Sequence, residues 1–308
     1  KEESSLLCFH VNYGYCKGFP IVTAIYDKFF IVYKVNKDKD GNIIFDELVA
    51  SNKLEDHDNS YSYSTITSSS HIITAEDFGN IKLWNLTQLN DDEWKIDQVY
   101  SITAHKAAIM DLSIHPLEPI VVSSSKDGSC KLWNIDNGEL INEIPNARNL
   151  MKKSDPKLSI ECRGSCFSID GLHLYSIQSG KRGSTYLFDR LITIQRDNST
   201  SKLTVDIKVL KVIEVSRVPC TKLKTNDKTS HLAIGSSDGS IVVVTTSNLK
   251  KVYSKQFHDL PVTGLGFAPI ILADEEEVDC IVNSCSADYK LTTIRIGEIS
   301  KLSKIIVL

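Results

Sequence analysis

The residues best suited to chemistry fall in one stretch of the chain: His105, Ser123 or Ser125, and Asp127, with Trp133 a few positions on. A histidine, a hydroxyl and a carboxylate are the types that carry acid–base and nucleophilic work. A second candidate is Gly180-Lys181-Arg182-Gly183-Ser184-Thr185, whose glycines and cations have a phosphate-loop flavour. It lacks the Gly-x-x-x-x-Gly-Lys-Ser/Thr spacing and sits between strand-like runs instead of opening a helix, so it reads as a basic surface turn. The cysteines Cys8, Cys16, Cys130, Cys162, Cys166, Cys220, Cys280 and Cys285 contain no Cys-x-x-Cys pair. Without metal or framework spacing they read as buried free thiols in a reducing compartment, Cys130 and Cys285 inside strand-like runs. His71, His115 and His173 occupy ordinary turn or strand-edge positions. No Gly-x-Ser-x-Gly elbow, zinc-protease helix or dinucleotide fingerprint is present.

Composition narrows the classes further. The 308 residues carry 35 Lys+Arg against 39 Asp+Glu, a net charge of -4, with 42% hydrophobic and 24% charged residues. That is too apolar for a disordered chain, and too acidic to wrap nucleic acid, which needs clustered cations to neutralise phosphate. No run approaches the roughly 20 apolar residues of a membrane span. The opening Lys1-Glu2-Glu3-Ser4-Ser5 does not read as a secretory leader. Lys152, Lys153 and Lys157 read as a solvated loop, and Asp274-Glu275-Glu276-Glu277 as an exposed one.

The elements that must position His105 and its companions are legible as repeats. Short β-rich runs alternate with Ser, Asp, Gly and Asn clusters, and no helical stripe appears. Residues 72–85, 121–134 and 232–244 each read strand, tight turn with aspartate, strand; 281–292 keeps the aspartate and replaces the glycine. The turn aspartates Asp77 and Asp127 stand 50 residues apart, as do Asp238 and Asp288, and stepping back from Asp77 lands on Asp27. Between Asp127 and Asp238 there is room for one unmarked unit and an insertion. Four-strand repeats of about 40–50 residues are the signature of a β-propeller, so the fold is expected to be all-β, with six blades legible in one domain. The strand around Leu6 to Val11 is expected to join the last blade as its outer strand.

These units resemble the WD-repeat family, most fully in Ala104-His105, Asp111-Leu112-Ser113-Ile114-His115-Pro116, Ser123, Asp127 and Trp133-Asn134. The resemblance implies that His105, Ser123 (or Ser125), Asp127 and Trp133 form a buried hydrogen-bonded chain within one blade. A buried carboxylate needs donors and a buried indole N–H needs an acceptor. The role is then scaffolding, because the pattern repeats and an active site would not.

Residues 215–296, with Phe257-His258-Asp259-Leu260-Pro261 and Ser284-Cys285-Ser286-Ala287-Asp288, look like the C-terminal blades of a narrower group. These are the endoplasmic-reticulum guanine-nucleotide exchange factors that start COPII coat assembly, the prolactin regulatory element-binding protein family. The resemblance implies seven blades facing the cytosol and a membrane span beyond Leu308. It also implies a partner, the small GTPase of the coat, whose GDP is ejected without bond chemistry. A glycine-rich loop of the first blade would hold a potassium ion through backbone carbonyls. No glycine run occurs there, so Thr23, Ala24, Ile25 and Tyr26 are expected to flank that loop; the other reading makes them consecutive core-strand residues. Glu47 to Ser70 is polar where the family would have strands. The alternative function is a cytosolic WD-repeat scaffold without exchange activity.

Overall fold

The alternation of apolar and polar residues folds as strands throughout the described part of the computed structural model. It describes residues 10–16, 19–52, 54, 60–67, 71–90, 93–144, 160–180, 183–197, 199, 202–226, 228, 230–268, 280–297 and 306–307. Lys152, Lys153, Lys157, Lys181, Arg182 and the acidic run 274–277 lie outside these residues, as does Cys8.

The chain divides into two units, Lys1–Ile114 with Pro119–Asp127 and Lys131–Leu140, and His115–Glu118 with Gly128–Cys130 and Ile141–Leu308. In the first, β1 (His10–Cys16), β2 (Phe19–Ile25), β3 (Phe30–Lys37) and β4 (Ile43–Ala50) form one sheet. The next is β5 (Tyr61–Ile66), β6 (His71–Glu76), β7 (Asn80–Gln88) and β8 (Trp94–Thr103), followed by β9 (Ile109–Ile114), β10 (Ile120–Ser125), β11 (Cys130–Asn134) and β12 (Leu140–Ile144), most of β12 belonging to the second unit. The second unit holds β13 (Ile160–Phe167), β14 (His173–Gly180), β15 (Thr185–Arg196) and β16 (Leu203–Ser216). It also holds β17 (Cys220–Thr225), β18 (His231–Ser236), β19 (Ser240–Thr245) and β20 (Lys251–Gln256), then β21 (Val262–Ala268), β22 (Cys280–Ser286), β23 (Leu291–Ile296) and β24 (Ile306–Val307). Every sheet is a four-stranded antiparallel meander, and the six are the blades of an all-β, six-bladed β-propeller fold.

Burial falls outward across each sheet. The second strands β6, β10, β14 and β18 are buried almost end to end, whereas β20 is mostly exposed. A strand packed on both faces needs apolar or small hydrogen-bonded residues at every position; an outer strand needs them only where it is covered. In the first unit Ile21, Ile25, Phe30 and Val32 pack with Tyr61, Ile72, Trp84 and Trp94, and the Phe30 and Trp84 rings meet edge-on at 5.2 Å. Each such side chain contributes about 1.5–3 kcal/mol on burial.

Three expectations need correction. The resemblance implied seven blades; the described residues form six four-stranded sheets. The polar stretch Glu47 to Ser70 does contain strands, the end of β4 and all of β5. Ser64 in the middle of β5 is buried by a bond from outside the stretch, its Oγ 3.0 Å from Thr23 Oγ1. The strand expected to complete the last sheet lies elsewhere: His10 and Val11 belong to β1, paired with β2, and the last sheet takes β24 as its fourth strand. The unmarked unit is the fourth sheet, whose long β15 and β16 absorb the insertion.

Candidate functional site

His105 follows the end of β8, and its backbone is held by the β6–β7 turn of the same sheet: the N–H groups of Ala104 and His105 both donate to the Gly79 carbonyl, at 2.9 and 3.0 Å. The imidazole is fully buried, with Nδ1 3.0 Å from Asp127 Oδ2 and Nε2 2.7 Å from Ser123 Oγ. A carboxylate only accepts, so Nδ1 carries the proton and Nε2 accepts from the Ser123 hydroxyl. Trp133 Nε1–H donates to the same Ser123 oxygen at 2.9 Å. Asp127 also accepts the Lys106 N–H at 3.1 Å. Ser125, the other hydroxyl considered, serves the turn instead, donating to the Ala107 carbonyl at 3.0 Å and accepting the Asp127 N–H at 3.1 Å.

Serine, histidine and aspartate in line are the order of a nucleophilic relay. Here the serine is fully buried and its oxygen is covered by an indole N–H, so no substrate carbonyl reaches it. The arrangement is also made twice. His258 Nδ1 lies 3.2 Å from Asp288, its Nε2 lies 2.9 Å from Ser284 Oγ, and Gly239 accepts the His258 N–H at 3.2 Å. Ile294 stands there in place of the tryptophan. The sequence carried this second chain, but its histidine precedes the aspartate by 30 positions against 22 in the first, which hid the match. In the second sheet the indole bond alone survives, Trp84 Nε1–H to Thr74 Oγ1 at 2.9 Å. The backbone superimposes that hairpin by its left-handed glycine, Gly79 on Gly128, so Phe78 and not Asp77 takes the place of Asp127.

Thr23, Ala24 and Ile25 lie buried in β2, paired with β1 on one side and β3 on the other. Tyr26 opens the tight turn to β3, its N–H donating to Phe29 at 2.9 Å and its ring stacked on Phe29 at 4.9 Å. The backbone of Thr23, Ala24 and Ile25 is committed to the sheet ladder. Among the described residues no group of three or more His, Cys, Asp or Glu could hold a metal ion. The described cysteines Cys130, Cys162, Cys166, Cys220 and Cys280 are buried, but Cys285 is exposed.

His115, an ordinary turn histidine by sequence, is an internal joint. Its Nδ1 accepts the N–H groups of Leu117 and Glu118, at 3.2 and 3.0 Å, which leaves Nε2 to donate to the Gly171 carbonyl at 3.0 Å. Burial, opposed by the bond to Gly171, lowers its pKa. Below about pH 6.5 the unfolded chain binds a proton that folded His115 resists, so stability falls as pH drops through that value toward the folded pKa. Melting temperatures at pH 7.5 and 5.5 are expected to fall further in the wild type than in His115→Gln, which offers the same acceptor and donor without titrating. Equal losses would remove His115 from the acid response.

An amphipathic recess of about 750 Å³ opens in the first unit beside β4, β7 and β8, lined by Tyr61, Glu76, Lys82, Trp84, Trp94 and Gln98 among others. Glu76 is fully buried there, paired with Lys82 Nζ at 2.6 Å and accepting from Asn80 Nδ2 at 3.0 Å. Burial, and then the Glu76 charge, push the Tyr61 phenol above its usual range.

The six four-stranded sheets define an all-β propeller fold, and the internal hydrogen-bond chain lies in the stretch that resembles a known repeat. The family described as "WD domain, G-beta repeat" matches residues 96–134. That span takes most of β8 with β9, β10 and β11, so repeat and blade are offset by one strand and the chain ties neighbouring sheets together. The chain is similar to Shk1 kinase-binding protein 15 of Schizosaccharomyces pombe, 23% identical over 56% of this chain and 51% of that protein. It is similar to WD repeat-containing protein VIP3 of Arabidopsis thaliana, 26% identical over 62% of this chain and 53% of that protein. Eighty residues, 25% of this chain, are 35% identical to protein transport protein sec31 of Schizosaccharomyces pombe, covering 6% of it. The chain thus spans about half the length of two of these relatives and a small part of the third. No helix among the described residues is long and apolar enough to cross a membrane.

Proposed function

We propose that this chain is a protein-interaction module that performs no bond chemistry. The observation that carries the reading is that Ser123, His105, Asp127 and Trp133 spend their hydrogen-bonding capacity on one another inside a blade. Function then falls to loops and outer strands, where propeller scaffolds present themselves to partners. The similarity to a protein transport protein supports a setting in vesicle traffic. A finer reading follows from the sequence resemblance: the partner is the small GTPase of the COPII coat at the endoplasmic reticulum membrane, and binding weakens its hold on GDP by the reciprocity of linked equilibria.

One experiment separates the two. Purified GTPase loaded with fluorescent GDP is mixed with the chain, and both capture and nucleotide release are followed. The module reading expects saturable capture with release unchanged. Release accelerated by roughly tenfold or more, a barrier lowered by about 1.4 kcal/mol, would establish exchange. Absence of capture in the GDP-bound, GTP-bound and nucleotide-free states would remove the GTPase as partner.

A further inference from the structure

Cys130, at the start of β11, and Cys162, in β13, are both fully buried, and their Sγ atoms stand 2.7 Å apart. Within electrostatic reach of them lies a cation in a place where cations are costly. Arg190 of β15 is 1% exposed, its guanidinium stacks over the Phe188 ring at 4.6 Å, and its NH1 donates to Ser176 Oγ at 2.6 Å. Its Nε finds no acceptor. The adjacent carboxylate, Asp189, is engaged by His173 Nδ1 at 2.7 Å.

A buried guanidinium persists only when anionic or hydrogen-bonding groups offset its desolvation. Burial lowers the pKa of Arg190, and the groups that oppose this are first Cys130 and Cys162, then Asp189. The attraction is mutual: a cation that gains from a neighbouring thiolate also makes that thiolate easier to form. Cys220 is the contrast within the same unit, a buried thiol beside Ser236 whose pKa is raised by burial. One pair of cysteines is therefore in contact and within electrostatic reach of a cation, and another cysteine of equal burial is not.

We propose that Cys130 and Cys162 are a redox-active pair, converted by a peroxide to an intramolecular disulfide and reopened by a dithiol reductant. The thiolate of one cysteine attacks the peroxide; an S–O bond forms, the O–O bond breaks, and the leaving hydroxide takes up the proton as water. The second sulfur then attacks the sulfenic sulfur, so that the S–S bond forms, the S–O bond breaks and a second water leaves. Two thiols lose two electrons and the peroxide gains them. Hydrogen peroxide is close to water in size, so brief openings of the packing admit it where bulkier reagents are kept out.

The test treats the folded chain with hydrogen peroxide and maps it with trypsin without reduction. Cleavage after Lys126, Lys131, Lys157 and Arg163 places the two cysteines in residues 127–131 and 158–163. The expected product is these two peptides joined, lighter by about two hydrogens and released by dithiothreitol, with Cys220 still a free thiol. In Arg190→Met the joined peptide is expected to form roughly tenfold more slowly, because the thiolate loses its cation. If that variant does not fold, the comparison of Cys130–Cys162 with Cys220 in the wild type carries the same question. Oxidation of exposed Cys285 with no 127–131/158–163 cross-link would overturn the proposal, as would Cys220 oxidising as fast as the pair.

Discussion

Truncating Trp133 to alanine is expected to lower the unfolding free energy by about 3–5 kcal/mol, the range for losing a buried tryptophan. The indole is 7% exposed and packs in the core formed by Tyr63, Ile73, Leu112 and Val121. Its removal also leaves Ser123 without the donor that holds its hydroxyl toward His105. Ser123→Ala deletes far less volume but strands two buried groups, the indole N–H and the His105 nitrogen. At about 1–3 kcal/mol for each unpaired group, its cost is expected to be about 2–6 kcal/mol. A serine lost from an active site would change a rate and leave stability nearly alone. Urea midpoints followed by far-ultraviolet circular dichroism distinguish these outcomes.

The coupling between the two positions is the sharper measurement. Trp133→Phe keeps most of the volume and loses the N–H. Combined with Ser123→Ala it is expected to cost less than the two single changes together by about 0.5–3 kcal/mol, since one broken bond cannot be broken twice. Strict additivity would mean that the four side chains do not act as a chain, and the scaffold reading of His105 and Asp127 would go with it.

How far the sequence reached follows from what its signals measure. Asp127 and Trp133 could be found because a tight turn and a buried indole each demand a particular residue type. The hairpins were legible for the same reason, whereas the unit between Asp127 and Asp238 was inferred only from the room left for it. Strand β5 was not legible, because Tyr61-Ser62-Tyr63-Ser64-Thr65-Ile66 reads polar when its interior position is unknown; only the partner Thr23 makes a buried Ser64 cheap. Superimposing the hairpins by aspartate misplaced Asp77 by one residue, since the feature the backbone conserves there is a left-handed glycine. The contact of Cys130 with Cys162 joins positions 32 apart through tertiary packing, and no local pattern encodes that. At Thr23–Tyr26, the residues expected to flank a glycine-rich loop, the structure has strand and turn.

Gly79→Ala tests whether the same packing logic holds His105 in place. Gly79 has φ 83° and Gly41 has φ 85°, so alanine at either pays the left-handed penalty of about 1–2 kcal/mol. Around Gly41 nothing lies within 4 Å of an added Cβ, and Gly41→Ala is expected to cost that penalty alone. At Gly79 the Cβ would lie 2.4 Å from the His105 carbonyl oxygen and 2.8 Å from its carbon. Backbone cannot rotate away as a side chain can, so the loop carrying His105 must shift, loosening the two N–H bonds to the Gly79 carbonyl and the bond to Asp127 with them. Gly79→Ala is therefore expected to cost about 3–5 kcal/mol, within the range for strain at a special φ joined to a broken hydrogen-bond network. Gly239, with φ 81° and a Cβ position 2.0 Å from the His258 carbonyl oxygen, is expected to behave like Gly79 and not like Gly41. Equal losses at Gly41 and Gly79 would mean that backbone strain alone is being measured, and that the glycine does not clamp the histidine.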